Sequence, residues 1–411
     1  MQRCVLILLI LVSLTGLHSC ARNVQSASDD APELLKAVPS DALGVGLFNR
    51  LDHGMDVILD SLSVLRRLDY GKLSRSKAAV AMCDVGSVTP LLVIEAGRSD
   101  ADTLEAARSV LAMSDTLRIP SALVALNHHN VLLLSTSATV ITVACRHIAS
   151  ESSILDAPDF DLVVPLLPKQ DVLILRNRGA SRLPASGFGK FTSKQVTAFI
   201  REAAEWTVLS EHKLHPVYPS SQRYFCSFME SVQDAPAKLP SAFPQDASAV
   251  IDMPVASVQE WRGKYEQWLD ARIELENYRK RLGSLRKSSG KNPLDWEKEH
   301  GVREVALVML PGGTVNMVRT SRNMESDGVQ VNPHAGFVRA LYGSAFATGD
   351  SCLLRCGNWL ISSCDRVLLD SLKLAKVKPE NWPSSARVVA WSPEIQFNWT
   401  KDNINIWNSN Q

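Results

Sequence analysis

The sequence of 411 residues lacks most of the features that assign a chain to a familiar class of enzyme. It contains no Gly-x-Ser-x-Gly nucleophile elbow, no Walker phosphate loop, no His-Glu-x-x-His zinc motif and no Gly-x-Gly-x-x-Gly dinucleotide fingerprint. The formal net charge is only +1, and no basic stripe interleaved with aromatic residues suggests nucleic-acid binding. The sequence therefore predicts no catalytic residue and no cofactor.

Long apolar runs are also missing after Cys20, where none reaches the roughly 20 residues that a membrane-spanning helix needs. The first twenty residues do contain a shorter run. Arg3 precedes the apolar segment Cys4–Leu14, and Leu17-His-Ser-Cys20 closes it. An apolar run of about a dozen residues after a positive start is typical of a secretory signal peptide.

The end of this segment resembles a bacterial lipobox, in which a small residue precedes the lipidated cysteine. Ser19 and Cys20 fit that pattern, whereas His18 departs from the usual small or β-branched residue. The resemblance implies cleavage before Cys20 and membrane attachment through lipid on that residue. An ordinary secretory signal cut nearby is the alternative.

Residues 21–32 are small and polar, which predicts a tether between the lipid and the first domain. Some lipoproteins that reach the cell surface carry an acidic run directly after the cysteine. Here Ala21-Arg22 follows Cys20, and Ser28-Asp-Asp30 comes later. We therefore expect a protein on the periplasmic face of the outer membrane.

The order of local patterns repeats along the chain. Val38-Pro-Ser-Asp-Ala-Leu-Gly-Val45 is echoed by Phe243-Pro-Gln-Asp-Ala-Ser-Ala-Val250. The strand-like run Ala78–Met82 is echoed by Val305–Met309, and the hairpin-like Asn130–Val140 by Asn358–Leu368. The sequence thus predicts an α+β protein made of two homologous, mainly antiparallel sheet-plus-helices modules. The two copies are expected at about 33–150 and 240–376, within domains of 33–239 and 240–411 that also contain the intervening elements and the C-terminal strands. Chance similarity of generic hairpins is the alternative.

A long helix over residues 254–287 is predicted to be inserted into the second module. Trp261, Trp268, Leu275 and Leu282 recur every seventh residue, and the opposite face is charged. Such a seam fits either packing within the domain or binding to an envelope protein partner.

Tryptophan is absent from most of the first module and frequent in the second, where eight of nine occur at or after Trp261. Trp391, Trp399 and Trp407 are spaced as in successive strands of a meander. Aromatics on an exposed sheet face bind sugars, peptides or lipids. Trp261, Trp268 and these three residues are therefore the predicted binding surface, with core packing as the alternative.

Six cysteines follow Cys20, an even number that permits disulfides in an oxidising compartment. Cys83 and Cys145 lie in apolar runs typical of buried thiols, Cys226 is isolated, and Cys352, Cys356 and Cys364 form a cluster that would allow one disulfide. The pairing stays open.

Other polar pairs favour structural interpretations. His128 and His129, considered with His147, are adjacent on a strand or tight turn, where neighbouring side chains point apart. His212 and His215 have a workable spacing on a helix but lie beside strand-like sequence with no carboxylate partner close by, and we predict no metal site. Asp41 and Asp246 occupy matching places after a proline and suggest turn residues rather than a paired site.

The sequence resembles a class of Gram-negative lipoproteins of unknown function that have a duplicated α+β domain. The resemblance lies in the lipobox and in the openings of the two repeats, Pro39-Ser-Asp-Ala42 and Pro244-Gln-Asp-Ala247. That resemblance implies a cellular location and a fold but no activity. A non-enzymatic binding or scaffolding protein of the cell envelope is the favoured hypothesis. An envelope hydrolase with a site between the two repeats is the alternative.

Overall fold

In the computed structural model the chain divides into two compact units, and the division falls after Pro219. We call residues up to 219 the N-unit and those from 220 the C-unit. The structure describes residues 31–52, 65, 67–68, 70–95, 105, 107–112, 124–128, 131–167, 171–182, 203–210, 213–219, 223–343, 346, 350–377, 379–393 and 395–408. The predicted signal peptide, Cys20 and residues 21–30 of the predicted tether lie outside these residues, whereas Ala31 and Pro32 belong to a helix.

The N-unit is built on one antiparallel sheet. Its helices and strands are α1 Ala31–Leu35, β1 Gly44–Phe48, β2 Ala78–Asp84, β3 Val88–Glu95, β4 Val124–His128, β5 Val131–Ser135, α2 Ala138–Ala149, β6 Val172–Arg176, β7 Trp206–Ser210 and β8 Lys213–Val217. The strands pair in the order β4-β5-β3-β2-β1-β6-β7-β8.

The C-unit combines a second antiparallel sheet with a group of helices. Its elements are α3 Phe225–Ser231, β9 Ala235–Pro236, β10 Phe243–Pro244, β11 Ala249–Pro254, α4 Val258–Ala271, α5 Leu275–Ser289, α6 Pro293–His300, β12 Glu304–Leu310, β13 Gly313–Arg319, β14 Gln330–Val331, α7 Phe337–Tyr342, β15 Cys352–Cys356, β16 Trp359–Ser363, α8 Arg366–Asp370, β17 Leu374–Ala375, β18 Ser385–Ala386, β19 Val388–Trp391, β20 Ile395–Trp399 and β21 Ile404–Asn408. The main strands pair in the order β15-β16-β13-β12-β11-β19-β20-β21. The α+β class and antiparallel sheet predicted from the sequence are confirmed.

The two sheets share their strand order, and their registers also correspond. In β1 Val45 lies opposite Ala81, and in β11 Val250 lies opposite Val308, so that residues of the repeated sequence patterns pair in the same way in both units. The residues on the buried face of each sheet also correspond. The matched core positions are Val45 and Val250, Ala79 and Ala306, Ala81 and Val308, Val93 and Met317, Leu133 and Ile361, and Val172 and Val389.

The prediction of one long helix over 254–287 is wrong. Two helices, α4 and α5, form a hairpin here, and Arg262 of α4 donates from Nη1 to Tyr278 Oη of α5 at 3.0 Å. Tyr265 of α4 packs across the hairpin, with its ring 5.8 Å from that of Tyr278, and Trp261 stacks on Tyr265 within α4. We call α4, α5 and α6 the helical insert, because together they connect β11 to β12.

The break in the helix is a Schellman motif centred on Ile273, whose φ is 61°. The Ile273 N–H donates to Asp270 O at 2.9 Å, and the Glu274 N–H donates to Leu269 O at 2.8 Å. Glycine is the usual residue at this left-handed position, because a Cβ there is strained. With neither glycine nor proline at the break, the sequence gives no stop signal.

The C-unit begins earlier than the expected boundary at 239/240. Residues Phe225–Ser231 form helix α3, and Phe228 packs on Trp261 and Tyr265 of the insert. The proline-rich stretch 235–244 pairs through β9 with β18 and through β10 with β17. These pairings make it part of the C-unit rather than a linker.

All six described cysteines are free thiols. Cys352 and Cys356 lie four residues apart on β15, too far along an extended strand to be bridged, and Cys364 follows β16 in an exposed position. Within the described ranges no helix is both long and apolar enough to cross a membrane.

Candidate anion-binding cleft

A cleft of about 440 Å³ lies in the C-unit at the base of the helical insert. β11 leads into it through Val255 and Ala256, and the chain returns to β12 through Arg303. The lining residues are Pro236, Lys238, Val255, Ala256, Arg303, Arg319, Thr320, Ser321 and Asn358. This volume falls within the range of small-molecule sites, roughly 300–1,000 Å³.

Glu304 fixes the wall of the cleft from behind. Its side chain is fully buried at the start of β12, where Oε1 accepts the backbone N–H groups of Lys238 and Leu239 at 2.7 and 2.9 Å. Its Oε2 accepts Nε of Arg319 at 2.5 Å, and Arg319 Nη2 also donates to Pro236 O at 3.3 Å. The carboxylate therefore holds the segment 236–239 and the Arg319 guanidinium in place.

Two further cations line the cleft, and the part of the chain that the structure describes offers neither of them a partner. Arg303 is tied down by its backbone, which donates to Arg319 O and accepts from Val255 N, both at 2.8 Å. Its guanidinium and the Lys238 ammonium are exposed, and neither is paired with any described residue. Unpaired cations on a fixed backbone are available to an anion from solution.

Asp252 lies behind the same wall of the cleft, and its side chain is on the same face of the sheet as that of Glu304. It is fully buried, and neither of its carboxyl oxygens accepts a well-formed hydrogen bond. Burial first, and then the neighbouring Glu304 carboxylate, raise the pKa of Asp252 well above its ordinary value, although Arg319 opposes the shift. A protonated Asp252 is neutral and can donate to Glu304.

The charges around the cleft do not cancel. Arg319 is paired with Glu304, whereas neither Lys238 nor Arg303 is paired with a carboxylate among the described residues. Two positive charges are thus left without a counter-charge from the described residues. A cleft of this kind attracts and binds anions.

The tryptophans predicted as a binding surface are not gathered on one exposed face. Trp261 is buried and stacks on Tyr265 with ring centroids 4.8 Å apart. Trp268 is half-buried against Phe228, at 5.7 Å, and its Nε1 donates to Arg223 O. Both residues pack the helices of the C-unit together.

The C-terminal tryptophans are divided between the two faces of the sheet. Trp391 lies opposite Gln396, whereas Trp399 lies opposite Val388, so the two side chains point to opposite faces. Trp399 is buried, and Trp391 packs edge-on against Phe243 at 5.0 Å. Trp407 lies in β21 at the register position opposite Gln396. Core packing accounts for Trp391 and Trp399.

The remaining polar candidates are dispersed. Asp41 and Asp246 are both exposed and sit in equivalent turns, in which Ala42 and Ala247 donate to the preceding proline carbonyls at 3.1 and 3.2 Å. His147 contacts Ser152 near the end of α2. His129 and His212 lie outside the described residues, as does Cys20. No group of three potential metal ligands occurs among the residues that the structure describes.

Sequence reasoning missed the cleft, although two signals for it exist. Asp252 interrupts the apolar strand Ala249–Pro254, and Glu304 opens the apolar strand Glu304–Leu310. Acids within strands that are buried on both faces need a partner or a proton. Their partner, Arg319, is distant in sequence and becomes a neighbour only through the pairing of β12 with β13.

Comparison with protein-family models, with curated proteins and with solved structures found no match to this chain.

Proposed function

We propose that this protein is a non-enzymatic binding protein of the bacterial cell envelope, attached by lipid to Cys20 and facing the periplasm from the outer membrane. The apolar leader, the Ser19-Cys20 junction and the polar tether support the anchor. The cationic cleft of the C-unit is the observation that carries the binding assignment, because the side chains of Arg303 and Lys238 line it and neither is paired with a described residue.

The proposal includes an internal duplication, in which the N-unit and the C-unit are copies of one module. It is supported by the common strand order, by the corresponding registers and by the matched buried positions. The helical insert then distinguishes the C-unit as the copy that acquired the binding cleft, and the N-unit serves as scaffold. The exposed charged faces of α4 and α5 are the surface we assign to an envelope protein partner.

Intact mass measurement and membrane fractionation of the native protein beside a Cys20→Ala variant test the anchor. We expect the native protein in the membrane fraction with lipid mass on Cys20, and the variant in the soluble fraction. Cys364→Ala is the matched control, because it removes an exposed thiol elsewhere and should leave fractionation unchanged. A native protein that is soluble and cleaved at another residue would refute the lipoprotein assignment.

A further inference from the structure

We infer that the cleft of the C-unit binds a phosphomonoester group carried by a compact, non-aromatic molecule, an inference that rests on the proposed binding function. The cleft offers two unneutralised positive charges within about 440 Å³. A phosphomonoester carries roughly −1.5 to −2 charges at pH 7 on one small group, whereas a carboxylate carries one. A single phosphate therefore matches the charge of the cleft within its volume.

The chemistry of the lining agrees with this ligand. Arg303 offers a planar set of N–H donors, Lys238 an ammonium and Asn358 an amide with no partner among the described residues. The apolar part of the lining is small, consisting of Pro236, Val255 and Ala256, and no aromatic ring is present on which a nucleobase could stack. The carrier is thus a small polar body such as a sugar or polyol.

The N-unit provides an internal comparison. At the position of Lys238, one residue before a buried leucine, the N-unit carries the exposed Glu33. Glu304 and Arg319 face each other across β12 and β13. The corresponding residues of the N-unit are Lys77 and Glu95, whose backbones are hydrogen-bonded at 2.9 Å.

Asp252 corresponds to Leu47, a core residue of the N-unit. The C-unit therefore differs from the N-unit in charge at the positions that form the cleft and its support. Such a difference is expected of a binding site, since the shared fold requires neither pattern.

Calorimetric titration of the full-length protein in detergent tests the inference, with glycerol 3-phosphate as ligand. We expect saturable binding that Arg303→Gln and Lys238→Gln each weaken by about tenfold or more, since a hydrogen bond to a charged group is lost. Lys376→Gln is the matched control, because it removes an exposed cation that does not line the cleft. Equal binding by all four proteins, or no binding by the native one, would overturn the inference.

The ionisation of the ligand gives a second readout. The second pKa of a phosphomonoester is about 6, so its affinity should fall as the pH is lowered from 7.5 to 5.5. Sulfate stays dianionic over this range, and its weaker binding should change little. A phosphate affinity that does not change with pH would contradict the match to a dianion.

Flotation of the Cys20→Ala variant, which lacks the lipid that would itself insert into vesicles, distinguishes the two sources of such a phosphate. Binding to glycerol 3-phosphate together with vesicles containing phosphatidic acid, but not phosphatidylglycerol, supports a phosphomonoester on a lipid surface. Binding to glycerol 3-phosphate alone supports a soluble phosphorylated molecule. If Cys20 carries lipid but the protein does not bind glycerol 3-phosphate, the ligand class is refuted and the envelope assignment stands. If a native protein without lipid binds glycerol 3-phosphate, the ligand class stands and the lipoprotein assignment is refuted.

Discussion

Replacing Asp252 with asparagine should remove a pH dependence from the stability of the C-unit. Asp252 is fully buried, and burial together with the Glu304 carboxylate raises its pKa well above the ordinary value. In the unfolded chain the same group titrates near its reference pKa of about 3.9. Between these two pKa values the folded protein holds one proton more than the unfolded chain.

The sign and size of the effect follow from this difference. Stability from a raised carboxyl pKa is fully present below the unfolded pKa and decreases as the pH rises toward the folded one. The decrease is about 1.4 kcal/mol per pH unit for one proton. Asparagine does not titrate and can still donate to Glu304. As the pH rises above the unfolded pKa, the variant should therefore gain about 1.4 kcal/mol per pH unit relative to the native protein, until the pH reaches the folded pKa of Asp252.

Urea unfolding at a series of pH values measures this gain. Tryptophan fluorescence is a suitable probe of the C-unit, because eight of nine tryptophans lie at or after Trp261. Asp246→Asn makes the same chemical change at an exposed position in the same unit and should follow the native protein. If the curves of Asp252→Asn and the native protein run parallel with pH, Asp252 is ionised in the folded state and the reasoning fails.

Two further predictions concern the helical insert. Ile273→Gly should raise the free energy of unfolding by about 0.5–1 kcal/mol, because relief of left-handed strain, about 1–2 kcal/mol, exceeds the entropy cost of glycine. Little packing is lost, since Ile273 is 90% exposed. A lower urea midpoint would contradict this prediction. Arg262→Met should lower the free energy of unfolding by about 3–5 kcal/mol. The buried carboxylate of Glu297, 2.5 Å from Arg262, would then lose its partner. Adding Glu297→Leu should recover much of that loss in the same assay, and no recovery would show that Arg262 acts through packing alone.

The strands of both sheets could be predicted from the sequence because their side chains are apolar and their turns are short. Ala78–Asp84 and Val88–Glu95 form a hairpin as the pattern indicates. Local information suffices for such hairpins, whereas β1 with β6, β3 with β5, β11 with β19 and β13 with β16 pair across longer stretches of chain that local patterns do not predict.

Helical features were predicted less well, for identifiable reasons. The seven-residue spacing of Trp261, Trp268 and Leu282 continues through the break at Ile273, because packing within a hairpin uses similar spacings to packing along one helix. Residues Phe225–Ser231 have aromatic side chains that favour strands, but packing of Phe228 on the insert outweighs this weak preference.

The cleft could not be predicted as a unit. Its cations come from three separate segments, at Lys238, Arg303 and Arg319, and only strand pairing and the two backbone hydrogen bonds to Glu304 bring them together. Each of these residues has an ordinary solvated role when it is considered alone. Their common chemistry is visible only from the fold.

The helical insert joins two strands that already lie side by side, with Pro254 opposite Glu304. In the N-unit the same two strand positions are joined by residues 49–77, and in the C-unit by residues 255–303. Lengthening a connection by this amount costs about 0.5 kcal/mol of closure entropy. The connection can therefore grow without any change in the pairing of the sheet, and the residues at its two ends, Val255 and Arg303, stay beside the paired strands, where they line the cleft.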